Sequence, residues 1–410
     1  MYLGDVMQSQ RLERSIAFGN EITPIIDLGM HPFADWFIPK ELLNVPEPVL
    51  PLVLCLDELS GLIHTQLLSD PSNRYNGVDY SYTSSNSASA QKHWDDYATF
   101  ISESSANGDN RAFEIGSNDG YLCAQLNQKG FRAIGIDASK TMVDLANDLG
   151  IKTLNALLTP ASADEILSEF GSADVVIANN VLNHANNPMS FLIAMAKLKT
   201  EKGLLFIEVP YWKFQFENYN FDMIYHEHVS YFTLTSLTNI LERINLTITG
   251  FSLIDYHGQS IRLVVGSKQY YSEAKDLRAQ MKIEKQAGLF RVPSYAHYNE
   301  TIRTNRRLFL QELFVEMSKD DSLDIVGIGA AAKGNTFLNF YGLNSTNISA
   351  VTDSSPRKIG KYTPLSRVEI YPDDLIKELK NPLLFMLSWN LGEGLRNKLI
   401  SINPRARFLK

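Results

Sequence analysis

The spacing of apolar positions changes character along the chain. Residues 1–82 carry short apolar runs broken by Pro and Gly, among them PIIDLG, HPFADWFIP and PEPVLPLVLCL, with no sustained helical period. Runs of that length and punctuation predict a small, loop-rich unit of short strands. The polar and aromatic stretch DYSYTSSNSASAQKHW then predicts a linker entering a helix through His93, Trp94 and Tyr97, with side chains facing a cleft. From Arg111 onward, short apolar runs alternate with helical segments. RAFEIGSNDGYL predicts a buried strand, a Gly-containing turn and a helix; AIGIDAS predicts a strand ending in an acid; ADVVIANNVLNH and GLLFIEVPY predict two more strands. Buried strands alternating with helices predict a parallel, doubly wound sheet. LTITGFSLIDYHGQSIRLVVGS, two alternating runs around a polar turn, predicts an antiparallel hairpin at the edge of that sheet. Residues 268–318 are charged and helical in pattern, and a second β/α unit runs from LDIVGIGAAAKGNTFLNFYGL through ISAVTDSS to PLLFMLSW. The expected fold class is α/β: a small loop-rich N-terminal domain (1–82), a central doubly wound Rossmann-like domain (83–267), a helical connector (268–318) and a C-terminal Rossmann-like domain (319–410).

Composition narrows function more than fold. A net charge of −8 and a pI near 5.6 argue against a nucleic-acid partner, which is usually held by a basic surface. Arg303, Arg306 and Arg307 read as a solvated helix face. The first residues lack the apolar core of a signal peptide, and no stretch reaches the roughly 18 apolar residues of a membrane span. A cytoplasmic protein with no membrane partner is expected. Cys55 and Cys123 are too few for a disulfide framework, and Cys123, in GYLCAQL, reads as a small core residue.

Two turns and one crowded segment carry candidate chemistry. In the first β/α unit, Glu114, Gly116, Asn118, Asp119 and Gly120 lie where a strand meets a helix, so a ligand can approach backbone N–H groups. Asp137, ending the next strand, is placed to accept hydrogen bonds from a ribose diol. Carboxylates at 114 and 119 oppose a pyrophosphate and favour a ligand with an ammonium and a sulfonium, so S-adenosylmethionine is expected over NAD. Asn179 and Asn180 end a strand beside this site, as ligand contacts or turn formers. In the second turn, GIGAAAKGNT, Lys333 stands where an anion would meet a helix N-terminus, with Gly334, Asn335 and Asn390 as further candidates. The alternative there is a tight turn with Lys333 in solvent. Residues 206–232, FIEVPYWKFQFENYNFDMIYHEHVSYF, crowd titratable groups among large apolar side chains, a setting that tunes imidazole and carboxylate groups for proton transfer. Glu208 and Tyr211 read there as the end of a strand facing the cleft; a structural ion pair with core histidines is the alternative.

With GSNDG, NNVLNH, EVPY, YHEHVSYF, HGQS and GAAAKGNTFLNFYG in this order, nearly the whole chain resembles the sugar C-methyltransferases. These enzymes methylate C3 of a nucleotide-linked 4-keto-deoxyhexose with S-adenosylmethionine. The resemblance implies that the central domain is the methyltransferase domain and that the C-terminal domain contributes to the site for a nucleotide-diphosphate sugar. It implies His228 as general base, with Glu227 and Tyr225 beside it and Glu227 or a neighbour orienting the imidazole. His184 and Tyr82 match further active-site side chains, Tyr80 being the alternative to Tyr82, and His257 and Gln259 fall at the sugar pocket. His226 is expected to be structural. The chain departs from the family twice. Four N-terminal zinc cysteines are reduced to Cys55-Leu-Asp-Glu58, with only His31 and His64 to recruit, so no metal is expected. HGQS replaces a pattern with two glycines. The expected activity is C-methylation of such a sugar. Alternatives are O- or N-methylation of a related nucleotide sugar, an NAD-dependent oxidoreductase using Asp353, and a non-catalytic sugar-nucleotide binder; the nucleotide, and a monomer or dimer, are left open.

Overall fold

The structure, a computed structural model, describes residues 9–71, 74, 83–85, 87–105, 110–256 and 258–409. The N-terminal part supplies β1 (Ser9–Arg11), β2 (Thr23–His31), β3 (Leu50–Asp57), β4 (Leu62–Thr65) and β5 (Leu67–Ser69). Helix α1 (Ala88–Ser104) follows, its first turn capped by the Ser87 hydroxyl accepting from Ala90 N–H. The central strands are β6 (Arg111–Ile115), β7 (Arg132–Asp137), β8 (Thr153–Asn155), β9 (Ala173–Asn179) and β10 (Lys199–Pro210). Between them run α2 (Tyr121–Gln128), α3 (Lys140–Asp148), α4 (Pro160–Phe170) and α5 (Pro188–Leu198). Then come α6 (Trp212–Glu217), β11 (Ser230–Tyr231), α7 (Leu234–Arg243) and the hairpin of β12 (Leu246–Ile254) and β13 (Ser260–Ser267). Helices α8 (Leu277–Gln286) and α9 (Ser294–Lys319) lead to β14 (Asp324–Ile328), α10 (Ala332–Tyr341), β15 (Ala350–Asp353) and β16 (Ile370–Pro372). The chain closes with α11 (Leu375–Glu378), β17 (Pro382–Met386), α12 (Gly392–Ile402) and β18 (Arg407–Phe408).

The central sheet has the order β12-β13-β10-β9-β6-β7-β8, parallel from β10 to β8, with β13 antiparallel to both its neighbours. Val175, Val176, Ile177 and Ala178 are all fully buried, because packed side chains cover both faces of β9. Strand order reverses between β6 and β9, which leaves a crevice at the carboxyl ends of the strands. Both GSNDG and Asn179 open onto it. The second sheet, β16-β15-β14-β17-β18, is wholly parallel, and its own reversal at β14 places GIGAAAKGNT at a second crevice.

The N-terminal strands do not close a core by themselves. Their four-stranded sheet is completed by β11, which pairs Ser230 with His64 and Tyr231 with Ile63. Ile26, Leu54 and Leu56 pack in one cluster with Tyr295 and Leu313 of α9 and with Ile325 and Phe385 of the C-terminal sheet. The crowded segment before β11 is therefore gripped by all three parts of the chain. Helix α1 is the one expected through His93, Trp94 and Tyr97, but its side chains face the sheet instead of a cleft. Trp94 and Tyr97 are core residues, and His93 stacks on Tyr256 with ring centroids 3.7 Å apart.

Candidate active site

Three left-handed residues bend the turn between β6 and α2: Gly116 (φ 68°), Asn118 (φ 52°) and Gly120 (φ 76°). A Cβ at Gly116 would stand 2.2 Å from Val181 Cγ2, so this backbone conformation and this close approach both require glycine. Asp137 braces the turn: one carboxylate oxygen accepts Asn118 N–H at 2.8 Å and the other accepts Ser139 N–H at 2.8 Å. Burial pushes this carboxyl up, while the two N–H groups pull it back. Across the crevice, both side-chain amide atoms of Asn179 and Asn183 and the side-chain oxygen of Asn180 are buried without a hydrogen-bond partner among the described residues. Buried amides are normally paired, so this cluster fits a ligand rich in donors and acceptors.

Two of the expected ligand-facing carboxylates are committed elsewhere. Glu114 lies inside the sheet, accepts the Cys123 thiol at 3.1 Å, and is pushed up to about 8 by burial, so it is mostly neutral at pH 7. Asp119 accepts the Ser84 hydroxyl, the Ser85 hydroxyl at 2.6 Å and the Ser85 N–H at 3.1 Å. It thereby anchors residues 83–85, next to the stretch that carries Tyr80 and Tyr82. Those two tyrosines and His257 lie outside the described residues. Half-buried Asp137 is left as the carboxylate at the crevice edge.

The crowded segment divides into inward and cleft-facing groups. Glu208 is fully buried, 2.8 Å from Arg262 and 2.9 Å from His93. Burial pushes it up, but these two partners prevail and hold it below the ordinary carboxylate range. Tyr211 donates to Glu284 of α8 at 2.9 Å. Neither residue faces the cleft.

His228 lies where both ring nitrogens meet a partner. Its Nδ1 lies 3.3 Å from the Met223 carbonyl and its Nε2 lies 2.6 Å from the Tyr225 hydroxyl. A carbonyl only accepts, so Nδ1 carries the proton and Nε2 is the basic nitrogen. The His184 ring meets it edge-on, with centroids 4.9 Å apart. His184 is pushed down to about 3 by burial and by the Arg74 charge, against a hydrogen bond to the Glu227 backbone. It is therefore neutral, and its Nδ1 has no partner among the described residues. The short turn Leu182–His184 follows Asn179 and Asn180 by one residue, so the central crevice and the His228 imidazole share one wall. Glu227 turns away from the His228 imidazole: Oε1 accepts Asp35 N–H at 2.9 Å, and burial with the neighbouring Asp35 charge pushes it up to about 7. The imidazole is oriented by Met223 instead. His226 reaches the carbonyls of His31 (3.2 Å) and Leu50 (3.3 Å), tying the segment to β2 and β3.

The turn between β14 and α10 repeats the first plan. Asp353 accepts Ala330 N–H and Ser355 N–H, each at 2.8 Å. Lys333, however, lies neither in solvent nor in an open turn. It is buried, donates to Asn390 Oδ1, and sits 4.5 Å over the Trp389 ring. Burial pushes its amine down to about 8, against the pull of Asp222. Trp389 donates from Nε1 to Asp222 at 2.6 Å and packs so closely on Gly258 that a Cβ there would stand 2.6 Å from the ring. Lys333, Asn390 and the tip formed by Gly258 and Gln259 thus converge. Gly334 lies against Leu387, and Asn335 is spent on joining α10 to the N-terminal loop, donating to the Ala34 carbonyl at 2.6 Å.

Asp35, Arg74, Asn183 and Asp222 border the candidate residues and are not singled out by the sequence pattern. Acids embedded in HPFADWF and NFDMI are the available signal for two of them. Cys55 faces His64 across β3 and β4, and burial pushes its thiol up to about 12. Among the described residues, no three His, Cys, Asp or Glu side chains stand close enough to hold a metal ion, and no helix is long and apolar enough to cross a membrane.

Residues 88–250, which form most of the central sheet and its crevice, match the family described as Methyltransferase domain. Fold and crevice together define an S-adenosylmethionine-dependent methyltransferase. Residues 255–407 match the family described as C-methyltransferase C-terminal domain. C-methyltransferase NovU of Streptomyces niveus is 29% identical over 301 residues, covering 72% of this chain and 70% of that protein. The two family matches and this relative agree in making the chain similar to S-adenosylmethionine-dependent C-methyltransferases. A ubiquinone biosynthesis O-methyltransferase of Caulobacter vibrioides is 33% identical over 96 residues, 23% of this chain and 38% of that protein. Magnesium protoporphyrin IX methyltransferase (ChlM) from Synechocystis PCC 6803, solved with bound SAM, aligns over 43% of this chain and 79% of its own, with 17% identity and a TM-score of 0.34.

Proposed function

We propose that this protein methylates C3 of a nucleotide-diphosphate 4-keto-deoxy sugar through base-catalysed enolate formation. The observation that carries the reading is the contact of His228 Nε2 with the Tyr225 hydroxyl at 2.6 Å, beside a crevice for the methyl donor. A C–H bond next to a ketone is acidic enough for an imidazole once the enolate oxygen is stabilised. His228 Nε2 takes the C3 proton, and the Met223 carbonyl, accepting from Nδ1–H, stabilises the imidazolium. Once protonated, Nε2 no longer accepts, so the Tyr225 O–H turns to the developing enolate oxygen. Neutral His184 presents an acceptor nitrogen to a sugar hydroxyl. The central crevice, with Gly116, Asn118, Gly120, Asp137, Asn179 and Asn180, would hold S-adenosylmethionine, which supplies an electrophilic methyl group when bound. The distal crevice, with Lys333 and Asn390, takes the diphosphate, and Gln259 borders the sugar. The free, buried thiols of Cys55 and Cys123 suit a reducing compartment, and we place the reaction in the cytoplasm.

The test is a screen of thymidine-, guanosine- and cytidine-diphosphate keto-sugars, read by the mass of an added methyl group. Wash-out of the C3 hydrogen into deuterated water without methyl donor separates C-methylation from O- or N-methylation. His228→Ala is expected to slow both wash-out and methylation by roughly 10²–10⁴-fold. Wild-type rates for both in that variant would remove His228 from the mechanism.

A further inference from the structure

The short turn Phe221–Met223 bears two contacts on opposite sides. Its last carbonyl, Met223 O, faces His228 Nδ1 at 3.3 Å. Its middle side chain, Asp222, is buried and accepts the indole N–H of Trp389 at 2.6 Å. Lys333, over the Trp389 ring, adds its charge to the same carboxylate. A further hydrogen bond, from Thr336 Oγ1 of α10 to the Ile224 carbonyl at 3.0 Å, holds the residue after the turn. The carbonyl that orients the base therefore sits in a turn clamped from the C-terminal sheet. A buried carboxylate with a charged neighbour and a short hydrogen bond is a rigid anchor, because losing either partner leaves a desolvated charge.

We infer that Asp222 is a positioning residue: gripped by Trp389 and Lys333, it fixes the Met223 carbonyl and through it the tautomer and orientation of His228. The inference rests on His228 being the base, and it joins the distal crevice to the chemistry. Misplacement of a reacting group by about 1 Å costs up to roughly 100-fold in rate, so a loosened turn acts on turnover more than on binding.

The experiment uses the full chain labelled with ¹⁵N at histidine. In the wild type, His228 is expected as the Nδ1–H tautomer in long-range ¹H–¹⁵N spectra. Among the described residues, groups around Asp222 include Lys333, Trp389, Tyr298 and Tyr341, and groups around His228 include Tyr225, His184 and Tyr231. Asp222→Asn is expected to mix the tautomers and shift the His228 titration, with kcat falling about tenfold and the KM for S-adenosylmethionine unchanged. Trp389→Phe, which removes the indole N–H, carries the same test should Asp222→Asn fold poorly. An unchanged His228 tautomer and titration in folded protein of either variant overturns the inference. These spectra need no acceptor, so a failed sugar screen would count against the proposed substrate and leave this test standing.

Discussion

The two crevices share a backbone plan and differ in the side chains set around it. In each, an acid ending the neighbouring strand accepts one N–H from the turn and one from two residues beyond itself, all at 2.8 Å: Asp137 in the centre, Asp353 in the distal sheet. The central turn then meets buried amides without a partner among the described residues, and a half-buried carboxylate. The distal turn meets Lys333, Asn390 and Trp389. The backbone decides where a ligand can approach, and the nearby charge decides which ligand is welcome. On the proposed reading, a donor with an ammonium and a sulfonium belongs to the first and a diphosphate to the second.

The largest effect expected from this contrast is a crossed loss of binding. Asp137→Ala should weaken S-adenosylmethionine by about 100-fold, since hydrogen bonds to a charged group contribute about 1.5–3 kcal/mol each and the N–H groups of Asn118 and Ser139 would also lose their partner. Lys333→Ala should weaken the acceptor nucleotide by about tenfold and leave the donor unchanged. Calorimetric titration of both ligands against both variants measures this directly. Equal weakening of both ligands by either variant would break the division of labour between the crevices.

Long apolar runs make most of the fold legible in the amino-acid order alone. AIGID, ADVVIAN and the apolar part of GLLFIEVP coincide with β7, β9 and β10, because strands buried on both faces are written as near-continuous hydrophobic runs. β11 is only two residues long and pairs with β4 across more than 160 positions of chain, so no local pattern announces it. The site is legible in the residue types near His228, but not in their assignments. Glu208, Asp119 and Glu114 look like ligand-facing acids in sequence; whether such an acid is spent depends on Arg262, His93, Ser84, Ser85 and Cys123 being brought beside it. The group that orients His228 is a backbone carbonyl, which no side-chain motif encodes. Lys333 turns inward because Asp222 and Asn390, both remote in sequence, lie there.

A smaller effect tests whether the charge of the central crevice excludes Glu114. This carboxyl is raised from 4.5 to about 8, so the folded state holds its proton more tightly than the unfolded chain. Its contribution is complete below 4.5 and is lost as pH rises through about 8, because the folded state there carries a buried charge. Glu114→Gln keeps an acceptor for the Cys123 thiol and removes the titration. Its melting temperature relative to wild type should rise from pH 5 upward, by the equivalent of about 2 kcal/mol by pH 6.5 and further towards pH 8. A flat difference, with weaker donor binding at every pH, would mean that the carboxylate reaches the ligand, and the contrast between the crevices would shift toward two acids in the centre.

The smallest effect concerns Gln259, beside the distal cluster. The central turn assigns its left-handed positions to Gly and Asn, whereas the hairpin tip holds Gln259 at φ 72°, next to Gly258 at φ 79°. A left-handed side chain costs roughly 1–2 kcal/mol, and glycine gives back about 0.5–1 kcal/mol through the entropy it loses on folding. Gln259→Gly keeps the carbonyl that accepts Tyr211 N–H at 3.1 Å, so a net stabilisation of about 0.5–1 kcal/mol is expected in denaturant unfolding. If stability rises while the KM for the acceptor also rises, the strained side chain is retained for the sugar, and the distal crevice has a selectivity element that the central one lacks. If stability rises and the acceptor is bound as before, the strain has no counterpart in binding, and the two crevices differ in charge alone.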